Sequence, residues 1–484
     1  METLQRTANR GSLSTGYDID NSVKLEADNT EYLYRVIASG GNRKTWTISA
    51  WVKRTEISDA SHGGGHTIFG VNVSGNEGTI VRFNTGTTAA TLDTIQIDIG
   101  AGGTLSRSHT SQVFRDTSAW YHIVLAVDTT QGTATDRFKL YVNGELVTSY
   151  YSRNNPAQNF DTSNNQADNS CTQHIGAYTS SGTAYGKFCG YIAEVNHVDG
   201  AALAPTAFGE FDDDSGIWKP KKASPTYGTN GFYLDYADAA DLGDDESGNG
   251  LDFTEVNISA SDQATDSPTN NFCILNPVYQ AQATKYHTVS NGGTFVTGNQ
   301  SGTAWDAVAG TIPLFKGKWY FELKKDGGSG TNMIVGAGGI DEHLYNWRTL
   351  TTITTGAKLY FSYNGTIYAN GQGGGASWTD NDIISIAIDQ DNLGIYYAKN
   401  GAWINSGDPE SGASLTGANT ITWGTSIPAF NVANNVGGLE LNFGGFDGFT
   451  VSSGNADANG YGNFEYAVPS GYYAICTKNL AEYG

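Results

Sequence analysis

Cysteine is scarce in this chain, four in 484 residues, and none forms a C-x-x-C pair or a Cys/His set with zinc spacing. That excludes a disulfide framework and a sequence-local zinc module. Cys171 and Cys189 flank a short hairpin-like segment, and buried free thiols are expected for them in preference to a bridge. Methionine (2) and proline (10) are rare too, and no stretch carries sustained helical periodicity, which removes the helical bundles. No apolar run approaches the roughly 18–20 residues of a membrane helix. The opening METLQRTANRGSLSTG has no apolar core of signal-peptide kind, so neither membrane insertion nor export by the usual route is expected. Positive charge is short as well: 27 Lys plus Arg stand against 49 Asp plus Glu, a net charge of −22. Phosphate neutralisation by Lys and Arg supplies most nucleic-acid affinity, so a nucleic-acid partner is set aside.

What is abundant points one way. Sixty-two glycines, 27 tyrosines and 20 phenylalanines describe many turns and aromatic-rich strands. In Trp120–Val147, Tyr121, Ile123, Leu125 and Val127 alternate with smaller or polar residues up to Asp128. Phe138, Leu140 and Val142 then repeat the alternation up to Asn143-Gly144, whose tolerance of positive φ suits a two-residue hairpin that sets Leu140 against Val147. The design recurs downstream, where Ile384, Ile386 and Ile388 alternate up to Asp389 and IYYAK leads into Asn400-Gly401. The copies lie too far apart for a solenoid or propeller period, so they predict separate domains. The fold class is all-β, two β-sandwich domains of jelly-roll type in series. The expected boundaries are an N-terminal attachment arm (1–17), a first sandwich (18–211), an acidic Gly-rich connector (212–270) and a second sandwich (271–484).

Several residues are candidates for chemistry. Tyr345, Trp347, Trp378 and Trp403 lie among Gly, Asn and Asp, where planar rings could stack on sugars. Asp241, Asp244, Asp245 and Glu246 offer hard oxygens that could hold Ca²⁺, although their spacing is not that of an EF-hand loop, and a solvated turn is the competing reading. No other cofactor is indicated. His62 and His66 bracket a glycine-rich loop but lack an evident third ligand. Arg6 and Arg10 make the first segment locally basic and suit docking onto a partner. No Ser-His-Asp order, phosphate loop or paired-acid site emerges, so the expectation is a chain that is not an enzyme.

The series KLEADNTEYL, WTISAWVK, WYHIVLAVD with KLYVNGEL, HIGAYTSSG and GYIAEVNHVDGAALAPTAF resembles a laminin-G-like, concanavalin A-type jelly roll. The resemblance implies glycan or protein recognition and, less often, glycan cleavage. Glucanases of this architecture carry Glu-x-Asp-x-Glu, or a bulged Glu-x-Asp-x-x-Glu, on one strand. The nearest text here, Glu194 to Asp199, has Asn196 at the middle acid, and without a bulge its outer carboxylates would point to opposite faces. Downstream, GKWYFELKK, DIISIAID, IYYAKNGAW, PAFNV, LELNFGG and GYYAICTKNL resemble the SPRY family, a sandwich that reads ligands with loops at one end.

The whole string, with RTANRGSLSTGYDIDNS near its start and SPTNNFCILNP at the junction, resembles structural proteins of tailed bacteriophages. This implies a virion surface protein, assembled in the host cytoplasm: a tail fibre or spike binding host cell-surface glycan, or alternatively a head fibre or capsid decoration protein, with a glycan-cleaving depolymerase as the reading from another class. The implied partners are other virion proteins, reached through the arm, and copies of the chain itself, a trimer being favoured.

Overall fold

The computed structural model describes residues 16–57, 65–72, 78–86, 88–101, 103–167, 171–180, 182–278, 287–298, 305–327, 333–339, 357–368, 375–433 and 437–484. The chain is all-β and divides into two compact units after Asn270.

In the first unit, two eight-stranded antiparallel sheets face each other as a jelly-roll sandwich. One runs in the order Glu145–Leu146, Phe138–Val142, Trp120–Asp128, Thr45–Arg54, Gly190–Asp199, Ser22–Leu25, Gln263–Ala264, with Phe232–Leu234 added against Gly190–Asp199. The other runs Tyr150–Ser152, Thr104–Val113, Thr94–Ala101, Thr79–Phe83, His66–Asn72, Thr172–Ile175, Tyr32–Val36, Thr254–Val256. The period of two decides what each strand gives the interior. Ile48, Leu125 and Leu140 lie side by side across three strands and are buried in one apolar cluster with Ile95, Ile97 and Ile99 of the facing sheet.

The central hairpin closes as its sequence requires. Asn143 (φ 48°) and Gly144 (φ 81°) both take left-handed backbone, and the Val147 N–H donates to the Leu140 carbonyl at 2.9 Å. Gly144 has a second reason to be glycine, since a Cβ there would lie 2.3 Å from the Trp218 ring.

Residues 212–270, expected as a connector, belong to the first sandwich. Phe232–Leu234 pairs with Val195–His197, Thr254–Val256 with Tyr32–Tyr34, and Gln263–Ala264 with Ser22–Val23. Three-residue strands between Asp/Gly turns are too short to show alternation, which is why this segment reads as linker although Phe232, Leu234 and Phe253 join the core.

The second unit, 271–484, is also a sandwich, of a nine-stranded and a five-stranded sheet. At its centre Lys318–Asp326 pairs with Ile383–Asp389, and Ile383–Asp389 with Gly394–Lys399. Asn400 (φ 49°) and Gly401 (φ 80°) turn the chain into Ala402–Trp403, repeating the Asn-Gly device of the first unit. Trp319, Phe321, Leu323, Ile386 and Ile388 fill the interior. All four cysteines are buried free thiols. No helix among the described residues is long and apolar enough to cross a membrane.

Candidate functional site

Each sheet of the first sandwich has an outer face, and the two differ. The outer face of the Trp120–Asp128 sheet is covered by the chain's own 200–266 segment. Trp51 stacks on His122 with ring centroids 4.6 Å apart, and the Trp218 Nε1–H donates to His122 Nδ1 at 3.0 Å. Lys53 Nζ meets Asp266 Oδ2 at 2.6 Å, with both side chains buried. The Thr47 hydroxyl donates to the Ala201 carbonyl at 2.8 Å. A cleft of about 540 Å³ lined by Val198, Ala201, Leu203 and Lys221–Lys222 opens beside this cover.

The opposite sheet presents a polar and aromatic row. Directly paired residues of an antiparallel sheet share a face, and the register sets Tyr34, His174, Gly70, Ile80, Asp98 and Arg107 side by side across six strands. Gln96 and Arg82 pair in the next row. This face exists because Gln96 and Asp98 alternate with Ile95, Ile97 and Ile99, which point into the core.

A hairpin, Tyr178–Ser180 with Thr183–Tyr185, folds over the row at Gly70, where a Cβ would lie 2.7 Å from the Ala177 carbonyl oxygen. Its two tyrosines stack at 5.9 Å, and Tyr178 sits over the Arg82 guanidinium at 5.6 Å. Beside them Arg107 reaches Asp98 through two bonds, Nε to Oδ1 at 2.8 Å and Nη2 to Oδ2 at 2.9 Å, while Gln96 Nε2 donates to Asp98 Oδ2 at 2.9 Å. Asp98 is buried, whereas the Arg107 side chain is 47 % exposed and Tyr185 is 40 % exposed. Arg82 is buried, and its Nε has no hydrogen-bond partner among the described residues. Planar rings at the surface beside a fixed guanidinium and carboxylate form a surface on which a sugar ring can stack while its hydroxyls are hydrogen-bonded.

Glu194, the candidate acid of the cleavage reading, lies in the Gly190–Asp199 strand where the register shifts between Ala193 and Asn196. A bulge is therefore present, with Glu194 in left-handed backbone at φ 52°. Its Oε1 accepts from the Tyr233 hydroxyl at 2.7 Å and from Tyr17 at 2.9 Å. Asp199 is committed elsewhere, accepting from Asn42 N at 2.7 Å and from Asn230 N and Asn165 Nδ2, each at 3.0 Å. The two acids thus have separate hydrogen-bond partners.

Desolvation pushes the Glu194 carboxyl up to about 7 from an ordinary 4.5, outweighing the two phenol donors. An acid raised in this way contributes stability that is fully present below pH 4.5 and lost as pH climbs through 7. Glu194→Gln is therefore expected to match the parent near pH 4.5 and to exceed it by roughly 3 kcal/mol at pH 8. Urea unfolding at the two pH values checks this; an equal stability difference at both would show that the carboxylate does not titrate there.

Comparison with known proteins bears on the first unit. Residues 26–205 match the model of the concanavalin A-like lectin/glucanase superfamily. No curated relative matches the sequence. Similar solved structures include the SPRY domain of human HERC1, with 18% identity over 34% of this chain and 96% of that one and a TM-score of 0.28. A putative carbohydrate-binding protein from Bacteroides ovatus is 16% identical over 49% of this chain and 58% of that one, TM-score 0.34. A heptameric SAP-like pentraxin from Limulus polyphemus is 15% identical over 39% and 80%, TM-score 0.28.

Of the aromatic residues expected from sequence, the structure describes Trp378 and Trp403, both in the second unit. Trp378 does not project from a loop: it is fully buried in the second unit, its ring 6.1 Å from that of Tyr360. Glycine and aspartate neighbours suggested exposure, but the chain turns the ring inward. Trp403 is half-buried, edge-on to Tyr396 at 6.4 Å. Tyr345, Trp347, His62, Arg6 and Arg10 lie outside the described residues.

The four acids do not converge on a common point. Asp245 accepts from the backbone N–H of Tyr233 (2.9 Å), Ser247 (3.0 Å) and Leu251 (2.9 Å), and Asp241 from Gly243 N (3.2 Å). The Asp244 carboxyl is raised by desolvation and by Asp252 and Asp241, and that of Glu246 chiefly by Asp235. These are turn-forming acids that repel one another, and no three of the group bring donor atoms together within 4.8 Å among the described residues. Tyr178, Tyr185, Arg82 and Arg107 were missed. One signal marks the tyrosines, their placement about the Gly182 turn; the polar positions of the isoleucine strand mark Gln96 and Asp98, the partners of the two arginines, which no signal of their own marks.

Proposed function

We propose that this chain is a non-enzymatic glycan-binding protein displayed on the particle of a tailed bacteriophage, as a tail fibre or spike contacting host surface glycan. The observation that carries the binding reading is the exposed end of the polar sheet face, where Tyr178 stacks on Tyr185 beside the Arg107–Asp98 pair, on a sandwich that matches a lectin/glucanase superfamily. The commitment of Glu194 to two phenols and of Asp199 to three nitrogens supports binding without cleavage. The phage setting rests on the resemblance of the whole string to virion structural proteins. Host adhesion by such a face is weak per chain, and several copies on one particle convert it to avidity.

Tyr185→Ala is expected to weaken binding of the full chain to host surface polysaccharide by about tenfold, the equivalent of one lost ring stack near 1.4 kcal/mol. Arg107→Gln is expected to act on the same step and, by taking from buried Asp98 its guanidinium partner, also to lower the unfolding midpoint, whereas Tyr185→Ala should leave it nearly unchanged. Equilibrium binding to polysaccharide extracted from the host, together with a reducing-sugar assay, is the test. Unchanged affinity in the double variant removes this face from the reading, and sugar release abolished by Glu194→Gln replaces binding with cleavage. Antibody labelling of intact particles tests the virion placement separately.

A further inference from the structure

Three unlike donors meet at one end of the first sandwich. Glu56 follows the Thr45–Arg54 strand, His66 opens His66–Asn72, and Cys189 directly precedes Gly190–Asp199. One carboxylate oxygen, one ring nitrogen and one sulfur from these residues lie within 4.8 Å of one another.

Sheet register brings them together. Gly190 pairs with Arg54, and the Thr55 N–H donates to the Cys189 carbonyl at 3.2 Å, which holds Glu56 beside the cysteine. His66 pairs with Phe83 and lies edge-on to Phe188 at 6.1 Å, so its ring is on the core side. Leu25 pairs with Gly190 from the other flank, and the next residue, Glu26, places its Oε1 3.5 Å from Cys189 Sγ. The four side chains come from the ends of four different strands, with Cys189 more than a hundred residues from the other three, so no local motif announces them.

We propose that Cys189, His66 and Glu56 bind a divalent transition-metal ion of the Zn²⁺ class, with Glu26 as the fourth donor, as a structural site at this end of the sandwich. Zinc bonds of about 2.0–2.3 Å in a tetrahedron set neighbouring donor atoms roughly 3.3–3.8 Å apart. A set already within 4.8 Å closes on an ion by small side-chain adjustments. The donor chemistry selects the metal class. Thiolate and imidazole favour zinc and its neighbours, whereas Ca²⁺ and Mg²⁺ require oxygen ligands throughout.

The same three residue types could make a thiol nucleophile with a base and an orienting acid, but Cys189 and His66 are each fully buried, out of reach of a substrate. Burial is no obstacle to a structural ion, which is captured as the chain folds. The inference does not depend on the glycan-binding reading.

The test uses the full chain, freed of metal by chelator and then titrated with Co²⁺. Stoichiometric uptake with a thiolate-to-cobalt absorption band and the intense visible bands of tetrahedral coordination is expected, displaced by Zn²⁺ and absent with Cys189→Ser and with His66→Gln. Zn²⁺ is also expected to raise the unfolding midpoint of the first unit, where Ca²⁺ does not. Should either variant fail to fold, metal analysis of the unaltered protein after Zn²⁺ loading and desalting decides. Retention of a stoichiometric ion upholds the site. No retained zinc and no cobalt band overturn it, as does a cobalt band that survives in folded Cys189→Ser.

Discussion

Asp266→Ala is expected to cost the first unit about 3–5 kcal/mol, because it removes one partner of a buried ion pair. Lys53 Nζ lies 2.6 Å from Asp266 Oδ2, and the two side chains are 0% and 1% exposed. The other carboxylate oxygen accepts from Trp120 Nε1 at 3.0 Å, and the Asp266 carbonyl accepts from the Ser22 hydroxyl at 2.6 Å. One residue thus ties the end of the 200–266 cover to two central strands. Removing the carboxylate takes from the ammonium, which lies over the Tyr191 ring, its partner at 2.6 Å, and from the indole N–H its acceptor.

Replacing both partners by apolar residues, Lys53→Met with Asp266→Leu, is expected to recover most of the loss, since neither charge then has to be desolvated. Urea unfolding of the full chain, with the transitions of the two units separated, measures both effects. A loss below about 1 kcal/mol for Asp266→Ala would mean that water reaches this pair and that the cover is loosely held.

The two-sandwich plan was legible because burial on one face leaves a period of two in the sequence, and Asn-Gly at a hairpin leaves a conformational mark. Leu125, Leu140 and the Asn143-Gly144 turn carry both signals. The role of 212–270 was hidden for the opposite reason. Phe232–Leu234 and Gln263–Ala264 are too short to alternate, and their place is set by pairing with Val195–His197 and Ser22–Val23, partners remote in sequence.

The polar sheet face was legible only in part. Gln96 and Asp98 are visible as polar positions of an isoleucine strand, but their meeting with Arg82 and Arg107 depends on cross-strand register. The convergence of Glu56, His66 and Cys189 depends on register alone. Sequence neighbours misled most at Trp378, because a glycine-rich approach describes the backbone on either side and says nothing of where the ring goes.

Trp378 therefore supplies the sharpest distinction between a contact residue and a core residue. Its N–H donates to the Ser362 carbonyl at 2.9 Å, which closes the loop down on the sheet. The ring then packs in the core cluster that includes Tyr360 and Tyr397, whose rings are themselves 5.5 Å apart. Trp378→Ala is expected to destabilise the second unit by about 3–5 kcal/mol, through lost burial and the cavity left beside Tyr360. Trp378→Phe should cost less, since it keeps most of the packing and removes an Nε1 that has no hydrogen-bond partner among the described residues. Glycan binding through the first unit should be unchanged at temperatures where the second unit of the variant is still folded. Calorimetry that follows the second unit's transition, paired with polysaccharide binding, separates the alternatives. An unaltered transition with weakened binding would return Trp378 to the surface as a sugar contact, while a lowered transition with intact binding places its whole contribution in the core.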